Sequence, residues 1–208
     1  MKAEYVQHMG TDLTVVNAAR VSFNKESNWE YDLEASDDNS RVLDAVEKLS
    51  AKDTKLIKYL ANHGHFTPFT HCTVTLRETV PIFLARQRFK HTVGFSYNEV
   101  SRRYVDDPPE FYTPTEWRKA PTDGAKQGSS NEFISTEIDD AYDISRRYEY
   151  ILDDAAALYE DMLEAGIAPE MARMVLPQSM YTSYYVTGSL SAWARAYNQR
   201  TDLHAQRE

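Results

Sequence analysis

One part of the sequence changes its hydrophobic period from that of a helix to that of a strand and back within a short distance. Apolar residues recur at helical spacing over residues 53–63 and stop before Gly64, which predicts a helix that ends there. Over residues 71–79 apolar and polar side chains alternate, as in a half-buried strand. Pro81 follows, and we expect it in the first turn of a helix continued by residues 82–90.

The second half of the chain continues this mixture. A long helical pattern runs from about residue 138 to residue 164 and ends before Gly166. We expect a short helix through Arg173, an extended segment over residues 181–186, and a final helix over residues 189–200.

Helices and strands are thus mixed without a regular β-α-β alternation, which predicts an α+β fold. The length of 208 residues suits one substantial core. We therefore expect a single mixed domain over residues 1–208, with a central sheet flanked by helices. Residues 106–131 are rich in Pro, Gly, Ser and charge, and we expect a surface excursion there with a mobile part near residues 121–130.

Composition limits the kind of function. A formal charge of −9 argues against broad attraction to nucleic acid or to an anionic membrane. No apolar run reaches the roughly 18 residues of a membrane span, and the first residues lack the layout of a signal peptide, so we expect a cytoplasmic protein. The one cysteine, Cys72, forms no internal disulfide, and strand alternation predicts that it is buried and inert rather than a nucleophile.

A basic segment interrupts this acidic chain. Between Arg86 and Tyr104 there are five lysines and arginines against one carboxylate, Glu99. The segment suggests an anion pocket, and the other interpretation is a solvated basic face. We expect its second part to be an irregular loop, because Gly94 and neighbouring β-branched residues oppose a helix.

The polar run over residues 96–104 contains side chains that suit nucleotide recognition. The guanidinium of Arg103 can fork onto a phosphate and Ser101 can donate a hydroxyl, while Asn98 and Glu99 can accept from sugar hydroxyls. A structural loop held by its own ion pairs would have a similar composition. The residue types alone leave both interpretations open.

Three histidines fall close together, but a metal site is not expected. His63, His65 and His71 have no Cys, Asp or Glu between them to complete a coordination shell. We interpret His65 and Thr67 as a hydrogen-bonding pair at a pocket edge, and His71 as structural. The sequence also lacks a Gly-x-Gly-x-x-Gly motif and a phosphate-binding lysine loop, so any dinucleotide is not bound in Rossmann or P-loop fashion.

Four stretches, taken in order, resemble the flavin-dependent thymidylate synthases. They are residues 19–23 (Ala-Arg-Val-Ser-Phe), 63–69 (His-Gly-His-Phe-Thr-Pro-Phe), 86–104 and 200–206 (Arg-Thr-Asp-Leu-His-Ala-Gln). The chain departs from the family signature where Lys90-His91-Thr92 replaces Arg-His-Arg and eight rather than seven residues precede Ser101. Thr70 and Arg195 also stand where the family often has an acidic residue and an asparagine.

The resemblance implies a homotetramer whose active sites are built from several subunits, and it implies three sets of site residues. FAD would be bound by Thr67, Lys90, His91, Thr92, Glu99, Ser189 and Arg195, with His65, Asn98 and His204 nearby. The substrate dUMP would be held by Gln87, Arg88, Lys90, Glu99, Ser101, Arg102, Arg103 and Arg173. Arg200 would face the uracil ring as the catalytic residue.

The implied reaction is methylation of dUMP to dTMP. NADPH would reduce the flavin, methylenetetrahydrofolate would give its methylene carbon, and a flavin hydride would complete the methyl group. A buried Cys72 favours this route over one with a cysteine nucleophile, and Ser101 suits a ligand role better than a nucleophile because no flanking base is evident. The alternatives are a one-carbon transferase for another pyrimidine nucleotide and a non-catalytic nucleotide-binding or RNA-binding module.

Overall fold

The structure is a computed structural model, and it describes residues 1–33, 45–105, 107–121, 128–139, 142–202 and 205–206. The elements in chain order are β1 Lys2–Met9, α1 Asp12–Arg20, β2 Glu30–Leu33, β3 Ala45–Lys48, α2 Ala51–Asn62, β4 Thr73–Pro81, α3 Ile82–Arg88, β5 Phe95–Glu99, β6 Trp117–Arg118, β7 Phe133–Ile134, β8 Glu137–Asp139, β9 Tyr142–Asp143, α4 Ile144–Glu164, α5 Pro169–Ala172, β10 Tyr181–Ser189 and α6 Leu190–Arg200. This mixture confirms the predicted α+β class.

The central sheet is antiparallel, in the order β1-β4-β10-β5. Its inner strands β4 and β10 are paired along their whole lengths, from Tyr181 opposite Pro81 to Ser189 opposite Thr73. Gly188 permits the close packing beside β5, because a Cβ at that position would lie 2.4 Å from the Phe95 ring.

The core lies between one face of this sheet and helices α3 and α6. Val80, Ala85, Tyr184 and Val186 are buried there, and partly buried aromatic side chains, Trp193 among them, pack around them. The core thus joins the end of α3 to α6, and the candidate site is built at this junction.

The first matched motif has a structural explanation. Arg20 at the end of α1 binds the carboxylate of Asp53 in α2, with Nε 3.0 Å from Oδ1, and Asp53 is only 3% exposed. Burial alone would raise the pKa of Asp53, but hydrogen bonds from Arg20, Ser50 and Ser27 hold it below its usual range. The arginine therefore fixes α1 against α2.

Most predicted elements are confirmed within a few residues. The helix predicted over 53–63 is α2, the strand over 71–79 is β4, and the final helix is α6 with Ser189 as its N-cap. The helix after Pro81 is α3, which ends at Arg88, and Pro81 itself is the N-cap and the last residue of β4.

Two predictions were wrong. The irregular loop includes the strand β5, in which Phe95 and Tyr97 face the core while β10 satisfies the backbone. The long helix begins at Ile144 rather than near residue 138, because β8 and β9 pair before it and the Asp143 side chain caps it by accepting from the Ser145 N–H at 2.8 Å.

The polar excursion contains short strands and is tied to α4. Its strand β6 pairs with β7, which follows the excursion in the chain. Trp117 Nε1 donates to Ser145 Oγ at 2.9 Å, and the Tyr148 hydroxyl donates to the Tyr112 carbonyl at 2.8 Å. The segment predicted to be mobile falls largely on residues 122–127, which lie outside the described residues. Among the helices that the structure describes, none combines the length and apolarity needed to cross a bilayer.

Candidate functional site

The larger of two cavities beside α3 is lined in part by residues of the basic segment. It has a volume of about 820 Å³, within the range of small-molecule sites. Of the predicted substrate ligands, Glu99, Ser101, Arg102 and Arg173 line it. Arg103 does not, and its guanidinium instead lies 3.5 Å from the Glu170 carboxylate on the exposed surface.

Two further arginines line this cavity that sequence reasoning did not assign, Arg77 and Arg86. Arg77 Nε donates to Ser183 Oγ at 3.1 Å, and Arg173 Nε donates to the Glu170 carbonyl at 3.2 Å. Within the described ranges, none of the cavity's four arginines forms an ion pair with a carboxylate. In a chain with a net charge of −9, such a group favours an anionic ligand.

The smaller cavity, of about 410 Å³, lies beside Gln87, Arg88 and Arg200. Its lining shares no residue with that of the larger cavity, which α3 borders through Ala85 and Arg86. Helix α3 therefore separates the two cavities, and each receives a different part of the predicted site.

The guanidinium of Arg200 is held by the end of α3. Its Nε donates to Nε2 of His91 at 2.8 Å, Nη1 donates to Gln87 Oε1 at 3.2 Å, and Nη2 donates to the Gln87 carbonyl at 2.9 Å. A guanidinium has five N–H donors, and two of them have no hydrogen-bond partner in the part of the chain that the structure describes. The predicted catalytic residue is thus oriented before any ligand arrives.

His91 accepts the hydrogen bond from Arg200 only in its neutral form. The hydrogen-bond network assigns the ring proton to Nδ1, since Nε2 is the acceptor. Burial lowers the pKa of His91 below its ordinary 6.5, and the positive charges of Arg200, Arg88 and Arg195 lower it further.

We expect the imidazole of His91 to remain neutral at pH values where a free histidine is already half protonated. Removing the charge of Arg200 should raise the pKa of His91 toward its ordinary value, because one repulsive neighbour of the protonated ring is gone. NMR titration of the His91 ring in the wild type and in Arg200→Ala measures both values. An unchanged pKa in the variant would contradict the contact.

Arg88, predicted as a substrate ligand, points into the protein instead. Its Nε and Nη2 donate to the two oxygens of Glu78, at 3.0 and 2.6 Å, and Tyr184 donates its hydroxyl to the same carboxylate. Burial alone would lower the pKa of Arg88, but the paired Glu78 raises it. This arrangement argues against a phosphate contact, because releasing Arg88 would leave a buried carboxylate unpaired.

Several predicted flavin ligands are brought together after α3. Arg195 on α6 donates to the Val93 carbonyl, and the Ser189 N–H donates to the Gly94 carbonyl at 3.1 Å. Gly94 has φ +79°, and a Cβ there would lie 2.9 Å from Cβ of Ala192, so a glycine is needed for this approach. Lys90, His91 and Thr92 thus lie on a segment that is anchored to α6.

The remaining predicted flavin ligands are more scattered. His65 and Thr67 are exposed after α2, and the 3₁₀ turn Thr67–His71 packs against α6. Asn98 is exposed on β5, and Glu99 accepts a hydrogen bond from Thr182 at 2.7 Å. His204 lies outside the described residues.

One signal in the sequence could have revealed the Glu78–Arg88 pair. Glu78 continues the inward-facing register of Val74 and Leu76, and a carboxylate at such a position requires a buried partner. The other groups that were given no role were Arg77, which no local pattern distinguishes from a surface arginine, and Arg86, which begins the basic segment.

Comparison with known proteins gives a consistent result. The family model Thy1, described as thymidylate synthase complementing protein, matches residues 4–208. The chain is 36% identical over 206 residues to a flavin-dependent thymidylate synthase of Thermosipho africanus, covering 98% of this chain and 78% of the relative. It is 35% identical over 205 residues to one of Thermotoga neapolitana, covering 99% and 78%.

Among solved structures, the chain is similar to the UMP/dUMP methylase PolB from Streptomyces cacaoi. The structure bound with 5-Br UMP has a TM-score of 0.72 at 28% identity and covers 100% of this chain and 82% of that one. The structure bound with 5-Br dUMP has a TM-score of 0.71 at 28% identity and covers 99% and 83%.

Proposed function

Because the chain belongs to the Thy1 family, whose relatives are flavin-dependent thymidylate synthases, we propose that it methylates dUMP to dTMP. FAD is the cofactor in this proposal, methylenetetrahydrofolate the carbon donor and NADPH the source of the hydride. The observation that carries it is the grouping of the motif residues Glu99, Ser101 and Arg102 with Arg173 in one cavity, whose arginines form no ion pair with the residues that the structure describes.

In this proposal the larger cavity holds the nucleotide phosphate and sugar. Arg102 and Arg173 supply charge-assisted hydrogen bonds and Ser101 adds a hydroxyl, while Arg103 would have to leave Glu170 to join them. Glu99 accepts from a sugar hydroxyl. Lys90 and Gln87, the latter in the smaller cavity on the other side of α3, bind the nucleotide from a second copy of the chain in this proposal.

Arg200 acts on the uracil ring. Its two remaining N–H donors face the ring in this proposal. The permanent positive charge of the guanidinium stabilises the negative charge that develops on the ring as the carbon–carbon bond forms. His91 and Gln87 fix the plane of the guanidinium, so no reorganisation is needed during the reaction. Cys72 is 4% exposed and burial raises the pKa of its thiol, which supports a route without a cysteine nucleophile.

The residues proposed for the flavin fit an anionic dinucleotide in chemical type. They combine the cations Lys90 and Arg195, the neutral imidazole of His91 and the hydroxyls of Thr67, Thr92 and Ser189, with His65, Asn98 and His204 near them. Lys90 is exposed and has no ion pair among the residues that the structure describes. A bound flavin would supply the hydride, and the protein groups would bind and orient it.

Two copies at least are needed to complete a site. In one chain, α3 separates the phosphate-binding arginines from Arg200, so a nucleotide in the larger cavity does not meet the Arg200 of the same chain. We propose a homotetramer with shared active sites, in which residues 1–208 act as one domain in the cytoplasm. The single cysteine is consistent with a reducing compartment.

A second candidate substrate comes from the solved relative, which is named a UMP/dUMP methylase. UMP differs from dUMP only by its 2′-hydroxyl, so both fit the phosphate arginines. Turnover with dUMP, UMP and dCMP under identical conditions separates the possibilities. Preference for dUMP supports the proposal, equal use of UMP supports the second candidate, and binding without any turnover favours a non-catalytic module.

We expect Arg173→Gln and Arg103→Ala each to raise the dUMP concentration needed for half-maximal rate by roughly ten- to a hundredfold, because each removes a charge-assisted hydrogen bond to phosphate. The matched control is Arg146→Gln on α4, an exposed arginine that lines neither cavity. Initial rates against dUMP concentration measure the effect. A variant that titrates like the control would be removed from the phosphate site.

A further inference from the structure

All three contacts that orient Arg200 come from one short segment, residues 87–91. Gln87 supplies its side chain and its carbonyl, and His91 supplies Nε2. Helix α3 ends within this segment, at Arg88, and the Gln87 and Arg88 carbonyls there accept only the looser backbone bonds of a turn, from the Lys90 and His91 N–H groups at 3.2 and 3.0 Å. The orientation of Arg200 therefore depends on what holds the end of α3.

Tyr97 on β5 lies directly against this segment. Its hydroxyl is 3.0 Å from the Arg88 carbonyl and 2.9 Å from the His91 carbonyl. One hydroxyl proton is shared between two acceptors, one at each end of the turn that follows α3. The bridge therefore fixes His91 relative to the helix, and with it the distance between the groups that bind Arg200.

The tyrosine ring is itself held in place. Phe89 packs edge-on at a centroid distance of 5.0 Å, and Phe95 and Tyr184 lie at 6.0 Å. Burial, the largest influence, raises the pKa of the Tyr97 hydroxyl, so it remains protonated and able to donate. The matched motif contains this tyrosine, although it lines neither of the two cavities beside α3.

We propose that Tyr97 is a positioning residue for Arg200, acting through the carbonyl groups of Arg88 and His91. The inference rests on the role given to Arg200 in the proposed function. Tyr97 lines neither of the two cavities beside α3, so in this proposal its effect reaches the reaction through the orientation of the arginine.

The test is Tyr97→Phe, which removes the hydroxyl and keeps the ring in the core. We expect kcat to fall by roughly tenfold, the equivalent of one hydrogen bond of ordinary strength. KM for dUMP should rise by less than kcat falls, because only Gln87 and Lys90 of the proposed dUMP ligands lie in the segment that Tyr97 holds, while the phosphate arginines lie on the other side of α3. Tyr148→Phe is the matched control, since its hydroxyl also donates to a backbone carbonyl, 2.8 Å away in the polar excursion, and it should keep kcat.

A double-mutant cycle with Arg200→Ala separates positioning from general stability. Tyr97→Phe should lower the single-turnover rate in the wild type and leave it unchanged in the Arg200→Ala background. Equal losses in both backgrounds, or no loss in the wild type, would overturn the inference. If Arg200→Ala alone retains normal turnover, the proposed role of Arg200 fails instead.

A readout without cofactor or substrate comes from the His91 ring. In Tyr97→Phe the pKa of His91 measured by NMR should rise toward its ordinary value, because Arg200 is no longer held against the ring. The Tyr148→Phe control should give the wild-type titration. A wild-type titration in Tyr97→Phe as well would contradict the positioning role even if activity fell.

Discussion

Replacement of Arg200 by alanine is expected to lower turnover by at least roughly a hundredfold while folding and flavin binding persist. A preorganised donor aimed at developing negative charge typically contributes 10²- to 10³-fold to the rate. Arg200 has this character, because three of its N–H groups are fixed by Gln87 and His91 and the residue lines the smaller cavity. Single-turnover formation of product measures the loss, and the flavin absorption spectrum checks cofactor binding.

Two further variants make this result specific. Arg200→Lys keeps the charge but cannot donate to His91 and Gln87 as a planar fork, so it should remain strongly impaired. Gln199→Ala changes the exposed neighbour on α6 and should behave as the wild type. Near-normal turnover in Arg200→Ala would remove Arg200 from the reaction.

The largest expected effect on stability comes from Arg88→Met. The substitution leaves the Glu78 carboxylate, in a residue only 7% exposed, without its cationic partner. Breaking a buried pair in this way costs about 3–5 kcal/mol of the free energy of unfolding, which for a chain of this size corresponds to a fall in Tm of about 10 °C. Urea unfolding of the protein without flavin measures the difference.

The matched triple variant removes all three polar side chains of the buried cluster. Glu78→Val, Arg88→Met and Tyr184→Phe together leave no unpaired buried charge, and most of the lost stability should return. A loss below about 1 kcal/mol for Arg88→Met alone would show that the guanidinium is not committed to Glu78, and the prediction of Arg88 as a phosphate ligand would regain support.

The sequence predicted elements well where one period ran without interruption. The alternation over β4 and the helical spacing of α2 and α6 were enough to place them. The strand β5 was missed because its alternation is short: Phe95 and Tyr97 alternate with Ser96 and Asn98, and the polar Glu99 then ends the pattern. Only the pairing with β10, distant in the chain, shows that this segment is a strand.

The candidate site was predicted in its residue types more than in its geometry. The motif placed Glu99, Ser101 and Arg102 in one cavity with Arg173, far away in sequence. Spacing alone could not show that Arg88 turns inward toward Glu78, since that depends on the register of a different strand. For the same reason the sequence did not reveal that α3 divides the site into two parts.

Product formation decides whether the protein methylates dUMP with a flavin. Purified protein is incubated without oxygen with FAD, NADPH, methylenetetrahydrofolate and dUMP, and the nucleotides are separated by chromatography. We expect dTMP in the complete mixture and none when FAD is omitted from protein freed of flavin. Absence of dTMP from the complete mixture, with flavin bound and Arg200 intact, would contradict the proposed function.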